Sequence, residues 1–114
     1  MKFKVIKNDD NIRFEIYEKD LIGYANLEKD TITNIFIFEE YRNISYGRNL
    51  INYILNYYAL NYGDTLRVIH CNSSTFNFFK KHGFELEDGV LVIKNLQDNI
   101  KQKKAIFNAS VFSF

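Results

Sequence analysis

The sequence predicts a mixed α+β fold in which helices pack on one mixed sheet. The first third of the chain alternates apolar and polar residues, as half-buried strands do. From Ser45 onward the apolar period becomes helical, and a strand, a second helix and a hairpin follow. The predicted order is β-β-β-β-α-β-α-β-β. Because an antiparallel meander is joined to a β-α-β segment, the sheet should hold both parallel and antiparallel neighbours.

The first four strands are predicted to form an antiparallel meander. In the second strand Ile12, Phe14 and Ile16 share one face, and polar residues alternate with them. Short polar turns between the segments favour hairpins over crossovers. The predicted strands are residues 3–6, 12–17, 21–27 and 31–38.

The longest helix is predicted over residues 45–61. Gly63 lies where a left-handed C-cap residue is expected, because glycine has no Cβ to clash there. A buried strand is predicted next, over residues 66–71. The residues that recur at helical spacing in this helix are Leu50, Ile51, Ile54, Leu55 and Tyr58.

A shorter helix and a hairpin complete the predicted fold. One of residues 73–75 (Ser-Ser-Thr) is expected to cap the helix, which runs through Lys81 and is stopped by Gly83. Asp88-Gly89 is the strongest short hairpin signal in the chain. The strands on its two sides are residues 84–86 and 90–96.

The composition indicates one small globular domain. Of 114 residues, 46% are hydrophobic and 25% are charged, which is typical of folded rather than disordered proteins. The 15 basic and 14 acidic residues give a formal net charge of +1, which argues against nucleic acid as a partner. Cys71 is the only cysteine, so neither a disulfide framework nor a cysteine zinc cluster is expected, and no metal is predicted.

The chain carries neither the apolar run of a signal peptide nor the ~20 apolar residues of a membrane span. We therefore expect no membrane partner and a cytoplasmic location. Residues 1–96 are assigned to the domain. Residues 97–114 form a tail that is first polar and basic and then apolar. We expect the tail either to close the same core, which is preferred, or to act as a dimerisation arm.

The segment most informative about function runs from the strand ending near residue 38 into the helix beginning near residue 45. A sharp strand-to-helix turn exposes backbone N–H groups where the helix dipole contributes about +0.5 charge. Arg42 and Arg48 add full charges, and a guanidinium binds phosphate as a forked donor. These residues by themselves fit either a phosphate site or a solvent-exposed cap with two surface arginines.

Two segments resemble motifs of the GNAT superfamily of N-acetyltransferases. The stretch from Arg42 to Gly47 (Arg-Asn-Ile-Ser-Tyr-Gly) is similar to the family's Gln/Arg-x-x-Gly-x-Gly/Ala turn, with Ser45 in place of the first glycine. The stretch from Asn72 to Phe84 (Asn-Ser-Ser-Thr-Phe-Asn-Phe-Phe-Lys-Lys-His-Gly-Phe) is similar to Asn-x-x-Ala-x-x-Phe-Tyr-x-Lys-x-Gly-Phe and keeps its register. Both motifs stand in the family's order, and the resemblance covers about residues 3–96.

The resemblance implies acetyl-coenzyme A (acetyl-CoA) as co-substrate. Backbone amides of residues 44–48 would hold the pyrophosphate. The pantetheine arm would lie between the fourth and fifth strands, which splay apart in this family, and would pair with residues 35–38. The implied cofactor-binding residues are Phe36, Ile37, Phe38, Arg42, Asn43, Ile44, Ser45, Tyr46, Gly47, Arg48, Asn72 and Phe79.

The resemblance also implies direct acetyl transfer to an amine. A strand N–H near residues 36–38 is the expected oxyanion donor. Phe79 stands where the family's acid is usually a tyrosine, and His82 is expected at the surface. Substitute acids are Tyr46, Tyr53, Tyr57, Tyr58, Ser74 or a water. Candidate bases are Glu39 and Asp30, which also fit solvated turn positions, and His70, which also fits a packed strand position.

Residues 7–11 are too few for the helices that usually follow the first strand in this family. That absence predicts an open acceptor side, suited to a protein acceptor or to a homodimer that completes the pocket. Two other functions fit the sequence. Phe79 and the missing base favour a non-catalytic acyl-coenzyme A sensor. The abundant aromatic residues and the tail fit a small interaction module.

Overall fold

The computed structural model describes residues 1–69 and 72–98, and it confirms the predicted fold class. The strands are β1 (Lys2–Asn8), β2 (Asn11–Tyr17), β3 (Leu21–Glu28), β4 (Thr31–Ile37), β5 (Leu66–Val68), β6 (Glu85–Glu87) and β7 (Val90–Ile93). The helices are α1 (Tyr46–Asn61) and α2 (Ser73–Lys81), and a short 3₁₀ helix (Glu39–Tyr41) precedes α1.

The seven strands form one sheet in the order β1-β2-β3-β4-β5-β7-β6. β4 and β5 are parallel and α1 connects them, while every other neighbouring pair in this sheet is antiparallel. β1 passes into β2 through Asp9-Asp10 without an intervening helix, as the sequence predicts. Neither helix in the described residues is long and apolar enough to cross a membrane.

The core lies between the sheet and α1. Phe14 of β2 is fully buried, and its ring meets Tyr53 and Tyr57 of α1 edge-on, with centroids 6.3 and 5.3 Å apart. Burying one such side chain contributes about 1.5–3 kcal/mol. α1 therefore holds the meander in place. The largest fully buried side chains are Phe14, Phe79, Phe84, Ile16, Ile22, Leu27, Ile32, Leu50, Ile51, Ile54 and Leu66.

The predicted left-handed cap at Gly63 is wrong. The glycines with positive φ in the described residues are Gly83 and Gly89. α1 instead ends because the N–H groups of Tyr62 and Gly63 both donate to the Tyr58 carbonyl, at 2.8 and 3.1 Å. The helix therefore stops without needing a residue in the left-handed region.

The N-cap of α2 is Asn72 rather than a residue of the Ser-Ser-Thr stretch. The Asn72 side chain accepts from the Thr75 N–H at 3.0 Å, and Thr75 Oγ1 accepts from the Asn72 N–H at 3.0 Å. This reciprocal pair is a capping box. Each polar residue from Asn72 to Thr75 could cap a helix. Asn72 does so because Thr75, three residues later, completes the reciprocal pair of hydrogen bonds.

Gly83 and Asp88-Gly89 behave as predicted. Gly83 has φ 99° and ends α2, while Asp88 and Gly89 have φ 50° and 81° in the β6–β7 turn.

β5 is shorter than the predicted strand over residues 66–71, and the last two of those residues lie outside the described part of the chain. The predicted tail also lies outside it from residue 99 onward.

Candidate functional site

A groove opens in the sheet where β4 and β5 separate. The two strands pair only at Thr31 with Arg67 and at Ile32 with Val68. The register of β4 against β3 then shifts, which leaves Thr33 as the extra residue of a β-bulge. A bulge bends its strand, so the rest of β4 turns away from β5. We call this cleft the β4–β5 groove.

The groove has a volume of about 1010 Å³. It is lined by residues 32–37 of β4, 41–45, 47 and 48 around the start of α1, 68 and 69, and 72, 74, 75, 78, 79, 81 and 82 in and around α2. Arg42, Arg48 and Lys81 are among these residues, and no carboxylate is. In a chain with a net charge of +1, this lining concentrates positive potential at one place.

Main-chain groups of β4 face the groove without a partner strand in the described residues. Phe38 donates its N–H to the Ile22 carbonyl of β3 at 2.9 Å. Along a strand, the main-chain N–H and C=O groups of successive residues point to opposite sides. Since those of Phe38 point to β3, the main-chain groups of Ile35 and Ile37 point away from β3 and toward the groove. Arg42 Nε donates to the Ile37 carbonyl at 2.8 Å, in agreement with that direction. The N–H and C=O of Ile35 and the N–H of Ile37 are therefore available to a ligand.

Gly23 allows β3 and β4 to approach closely beside the groove. A Cβ at Gly23 would lie 2.3 Å from the Phe36 carbonyl oxygen. Any side chain there would push the strands apart, so this glycine holds β4 in the position that forms the groove wall.

The turn into α1 presents a helix N-terminus without a side-chain cap. Asn43 has φ 63°, a left-handed conformation that asparagine tolerates better than most residues. Ser45 is the N-cap residue, but its side chain makes no capping hydrogen bond, and its Oγ accepts from Arg48 Nη2 at 3.2 Å instead. The first turn contains no acidic residue. The first amides and the positive end of the helix dipole therefore remain open to an anion.

Gly47 brings α1 and α2 together at this end of the groove. A Cβ on Gly47 would lie 3.2 Å from Cε1 of Phe78 and 4.0 Å from Cγ1 of Ile37. The absent side chain therefore lets the Phe78 ring of α2 pack directly on the first turn of α1.

Ten of the twelve residues predicted to bind cofactor line the groove: Phe36, Ile37, Arg42, Asn43, Ile44, Ser45, Gly47, Arg48, Asn72 and Phe79. Phe38 and Tyr46 do not. The Phe38 ring packs against Tyr24 and Phe36, with centroids 6.5 and 5.6 Å apart. The Tyr46 hydroxyl donates to Glu18 at 3.4 Å. Successive helix residues point about 100° apart, which turns Tyr46 away from the direction of Gly47.

Two of the three candidate bases lie away from the groove. Asp30 forms an ion pair with Arg67 and lines a separate cavity of about 460 Å³ beside Tyr58. Glu39 begins the 3₁₀ helix and is exposed. His70 lies outside the described residues. The described lining therefore offers no carboxylate to act as a general base.

Phe79 supplies apolar surface and has no proton to donate. Its side chain is fully buried, and its ring meets Phe78 and Phe84 edge-on, with centroids 5.3 and 5.2 Å apart. Of the hydroxyl residues predicted as substitute acids, Ser74 lines the groove and the tyrosines do not. Tyr41, which is not among the predicted substitute acids, also lines the groove.

His82 was expected at the surface, but it lines the groove. Its half-buried ring stacks against Phe78, with centroids 4.8 Å apart. Burial lowers the pKa of His82, and the charges of Lys81 and Arg48 lower it further, so the imidazole is mainly neutral at pH 7. Helical spacing could have revealed this position, because the groove face of α2 follows the pattern i, i+3, i+4, i+7: Thr75, Phe78, Phe79 and His82.

The comparisons with known proteins agree with this geometry. Residues 6–86 match a family profile described as an acetyltransferase (GNAT) domain. The chain belongs to the GNAT acetyltransferase family. This GNAT fold also matches PaiA N-acetyltransferase from Thermoplasma acidophilum, solved in complex with coenzyme A, with a TM-score of 0.67 at 22% identity. That match covers 75% of this chain and 61% of PaiA.

A GNAT family acetyltransferase from Elizabethkingia anophelis, solved with acetyl-CoA bound, matches with a TM-score of 0.62 at 19% identity. The match covers 75% of this GNAT chain and 76% of that one. The chain is also 29% identical over 110 residues to the DNA-directed RNA polymerase subunit beta of Phytoplasma mali (strain AT). That similarity covers 93% of this chain but 8% of the subunit. The polymerase's activity is therefore not inferred for this chain.

Proposed function

We propose that this protein binds acetyl-CoA in the β4–β5 groove and transfers the acetyl group to an amine by direct attack. The observation that carries the proposal is that the main-chain edge of β4, which no strand covers beyond Ile32 in the described residues, leads to the uncapped start of α1. A ligand made of an extended arm and a diphosphate requires these two features side by side. The two GNAT relatives named above were solved with coenzyme A or acetyl-CoA, which supports the proposal.

The diphosphate would bind at the turn into α1. The amides that follow Ser45 have no side-chain cap, and the helix dipole favours negative charge there. The Arg42 guanidinium lies 5.0 Å from the centroid of the Phe36 ring, and its Nε is held by the Ile37 carbonyl. Its outer nitrogens therefore have a fixed direction from which to donate to phosphate oxygens.

The pantetheine arm would take the place of a strand beside β4. Its two amide groups can pair with the main chain of Ile35 and Ile37, as an added strand does. Residues 33–37 provide about 13 Å of strand length for this contact. With the diphosphate at α1, the arm runs back toward Ile32, which places the thioester near Ile35.

With the thioester near Ile35, the expected oxyanion donor is a different main-chain N–H from the one predicted from the sequence. The donor predicted from the sequence lies near residues 36–38, but the Phe38 N–H already donates to the Ile22 carbonyl, and alternation turns the Phe36 N–H to the same side. The Ile35 N–H is the groove-facing amide at the thioester end. A fixed donor of this kind stabilises the negative charge that develops on the carbonyl oxygen.

The attacking amine must lose its proton before it attacks. A lysine-like amine has a pKa of about 10.4, and burial beside apolar walls such as Ile35 and Phe79 favours its neutral form. Because the described lining has no carboxylate, we assign proton removal to water or to His70. The departing thiolate has a usual pKa of about 8.5, and Ser74 is the one predicted substitute acid among the described side chains that lines the groove.

The acceptor would approach from the open side of the sheet. The direct β1–β2 turn leaves the Tyr24, Phe36 and Phe38 rings grouped on a sheet face, and Phe36 is 38% exposed. An open face of this kind suits an amine presented by a protein chain, or a second subunit that completes the pocket. A small amine would have fewer contacts there.

The proposal is tested by two measurements. The melting temperature should rise saturably with acetyl-CoA, because a ligand that binds the folded state stabilises it. Free thiol should then be released above background with at least one member of a panel of amines and peptides. No rise in melting temperature would overturn the binding assignment. A rise with no thiol release from any acceptor would overturn the transfer step and leave a binding protein.

A further inference from the structure

We propose that the acceptor amine is carried by an acidic protein segment, which lies across β1–β4 on the sheet face away from α1. The inference rests on the function proposed above and adds the chemical class of the acceptor to it. We call this surface the meander face. Its central side chains are Lys4, Arg13, Glu15, Tyr24, Asn34 and Phe36.

The strand register places basic and aromatic side chains together on the meander face. Phe14 packs on α1, so its neighbour Glu15 points to the opposite face of the sheet. Glu15 is opposite both Lys4 of β1 and Tyr24 of β3, and Tyr24 is opposite Phe36 of β4. Lys4, Glu15, Tyr24 and Phe36 therefore form one row across the four strands.

Arg13 extends the basic area toward the groove. It lies one row further along β2 and is opposite Asn26, which is opposite Asn34 of β4. The Arg13 guanidinium stacks on the Tyr24 ring, 4.1 Å from its centroid. Asn34 lines the β4–β5 groove next to Ile35, where the thioester is proposed to lie. An amine at the thioester would therefore lie two strands away from Arg13.

Basic side chains dominate the charge at the centre of the meander face. Glu15 is 8% exposed and accepts from Arg13 Nε at 3.0 Å and from the Tyr17 hydroxyl at 2.9 Å. It therefore presents little negative charge to a partner. Lys2 and Lys4 are exposed on the same face, and neither forms an ion pair within the described residues. The surface therefore attracts carboxylates.

Charge also decides which occupant fits. A second copy of this chain or a polyamine would bring like charges to Lys4 and Arg13, which disfavours both. Glu28 points to the same face at the end of β3, beyond the Arg13 row, which favours a path toward Lys4.

The strand spacing fixes how far the carboxylates lie from the amine. Neighbouring strands are about 4.8 Å apart, so Arg13 and Lys4 lie about 10 and 14 Å across the sheet from β4. An extended chain advances about 3.3 Å per residue. The carboxylates should therefore lie about three to five positions from the residue that carries the amine.

The test measures binding of labelled peptides by fluorescence anisotropy at low ionic strength, with coenzyme A present because it has no acetyl group to transfer. Three peptides of one length each present one amine and carry aspartate, asparagine or arginine about three to five positions from it. Two or three exposed ion pairs change affinity by about tenfold, so the aspartate peptide should bind about tenfold more tightly than the asparagine peptide. The arginine peptide should bind more weakly than both, and added salt should reduce these differences.

A pair of variants on one strand locates the binding surface. Lys4→Gln should reduce the preference for aspartate about threefold, since it removes one exposed ion pair. Lys7→Gln is the matched control, because Lys7 is an exposed lysine of β1 whose Nζ lies over the Tyr57 and Tyr62 rings of α1, on the other face. It should keep the wild-type preference. In acetyl transfer, kcat/KM should follow the same order across the three peptides.

The outcomes separate this inference from the proposed function. Equal affinity for the aspartate and asparagine peptides would overturn the inference, and thiol release from any acceptor would leave the proposed function standing. A preference that Lys4→Gln does not reduce would place the acidic segment elsewhere and also overturn it. A wild-type dimer that Tyr24→Ala dissociates would assign the meander face to a second copy, with the same result. If acetyl-CoA gives no rise in melting temperature, the proposed function itself fails, and the acceptor role fails with it. The melting temperatures of the unliganded variants establish that each is folded.

Discussion

Replacing Ser45 by aspartate should separate anion binding from stability, because the two effects have opposite signs. Ser45 is exposed and makes no capping hydrogen bond, so a carboxylate fits there without loss of a contact to the backbone. A negative charge at the positive end of α1 stabilises the helix by about 0.3–1 kcal/mol. The unliganded Ser45→Asp protein should therefore melt at or slightly above the wild-type temperature.

The same carboxylate should prevent ligand binding. Two unit charges about 4 Å apart repel by about 4 kcal/mol at an effective dielectric constant of about 20, which is roughly a thousandfold in affinity. Acetyl-CoA at a hundredfold excess over its dissociation constant should stabilise the wild-type protein by about 2.7 kcal/mol. The unfolding entropy of a 114-residue chain is about 0.24 kcal/mol/K, which converts this to a rise of about 11 °C. For Ser45→Asp the rise should be below about 1 °C.

Thermal unfolding with and without acetyl-CoA measures both effects. Ser45→Asn is the matched control, since it has the shape of aspartate without the charge, and it should keep most of the rise. A full rise in Ser45→Asp would refute the placement of the diphosphate at α1. Loss of the rise in Ser45→Asn as well would show that side-chain size, rather than charge, governs binding.

Three further predictions concern stability. Because the pKa of His82 is lowered on folding, the unfolded chain binds more protons, so stability is lost as the pH falls through 6.5 and below. Urea unfolding at pH 7.5 and 5.5 should show a smaller loss in His82→Gln, and an equal loss would contradict the assignment. Asn72→Ala should cost about 1 kcal/mol, or about 4 °C in melting temperature, whereas Asn72→Asp should retain the cap. Burial raises the pKa of Glu15, but hydrogen bonds from Arg13 and Tyr17 outweigh burial and lower it. Glu15→Gln should therefore cost about 1–2 kcal/mol near pH 7, and the difference from wild type should shrink as the pH falls through the lowered pKa of Glu15.

The order of elements could be predicted from the sequence because each element has a strong periodic signal. Alternation in β2 and helical spacing in α1 each reflect one buried face, and Asp88-Gly89 has the chemistry that a tight hairpin needs. The end of α1 could not be predicted from Gly63, because two amides sharing the Tyr58 carbonyl ended the helix first. Helix ends depend on which hydrogen bonds compete, and a glycine alone does not report that.

The turn that we propose binds the diphosphate could be located in the sequence because small and basic residues follow a strand there. The sequence could not show which residues of β4 face the groove, because that depends on the register with β3 and on the bulge at Thr33. Phe38 and Ile37 are neighbours in the chain, yet their main-chain groups point in opposite directions. His82 was missed because a polar residue beside a glycine stop resembles a surface position until α2 is placed against α1.

The groove-facing edge of β4, to which the described part of the chain adds no strand beyond Ile32, has a consequence for solubility. An unpaired strand edge is a template on which another extended chain can assemble, and here the edge belongs to an interior strand of the sheet. Arg42 covers one acceptor on this edge by occupying the Ile37 carbonyl, and its charge repels other cationic chains. Preparations stored without a ligand should therefore aggregate faster than those whose groove is filled, and Arg42→Ala should make this difference larger.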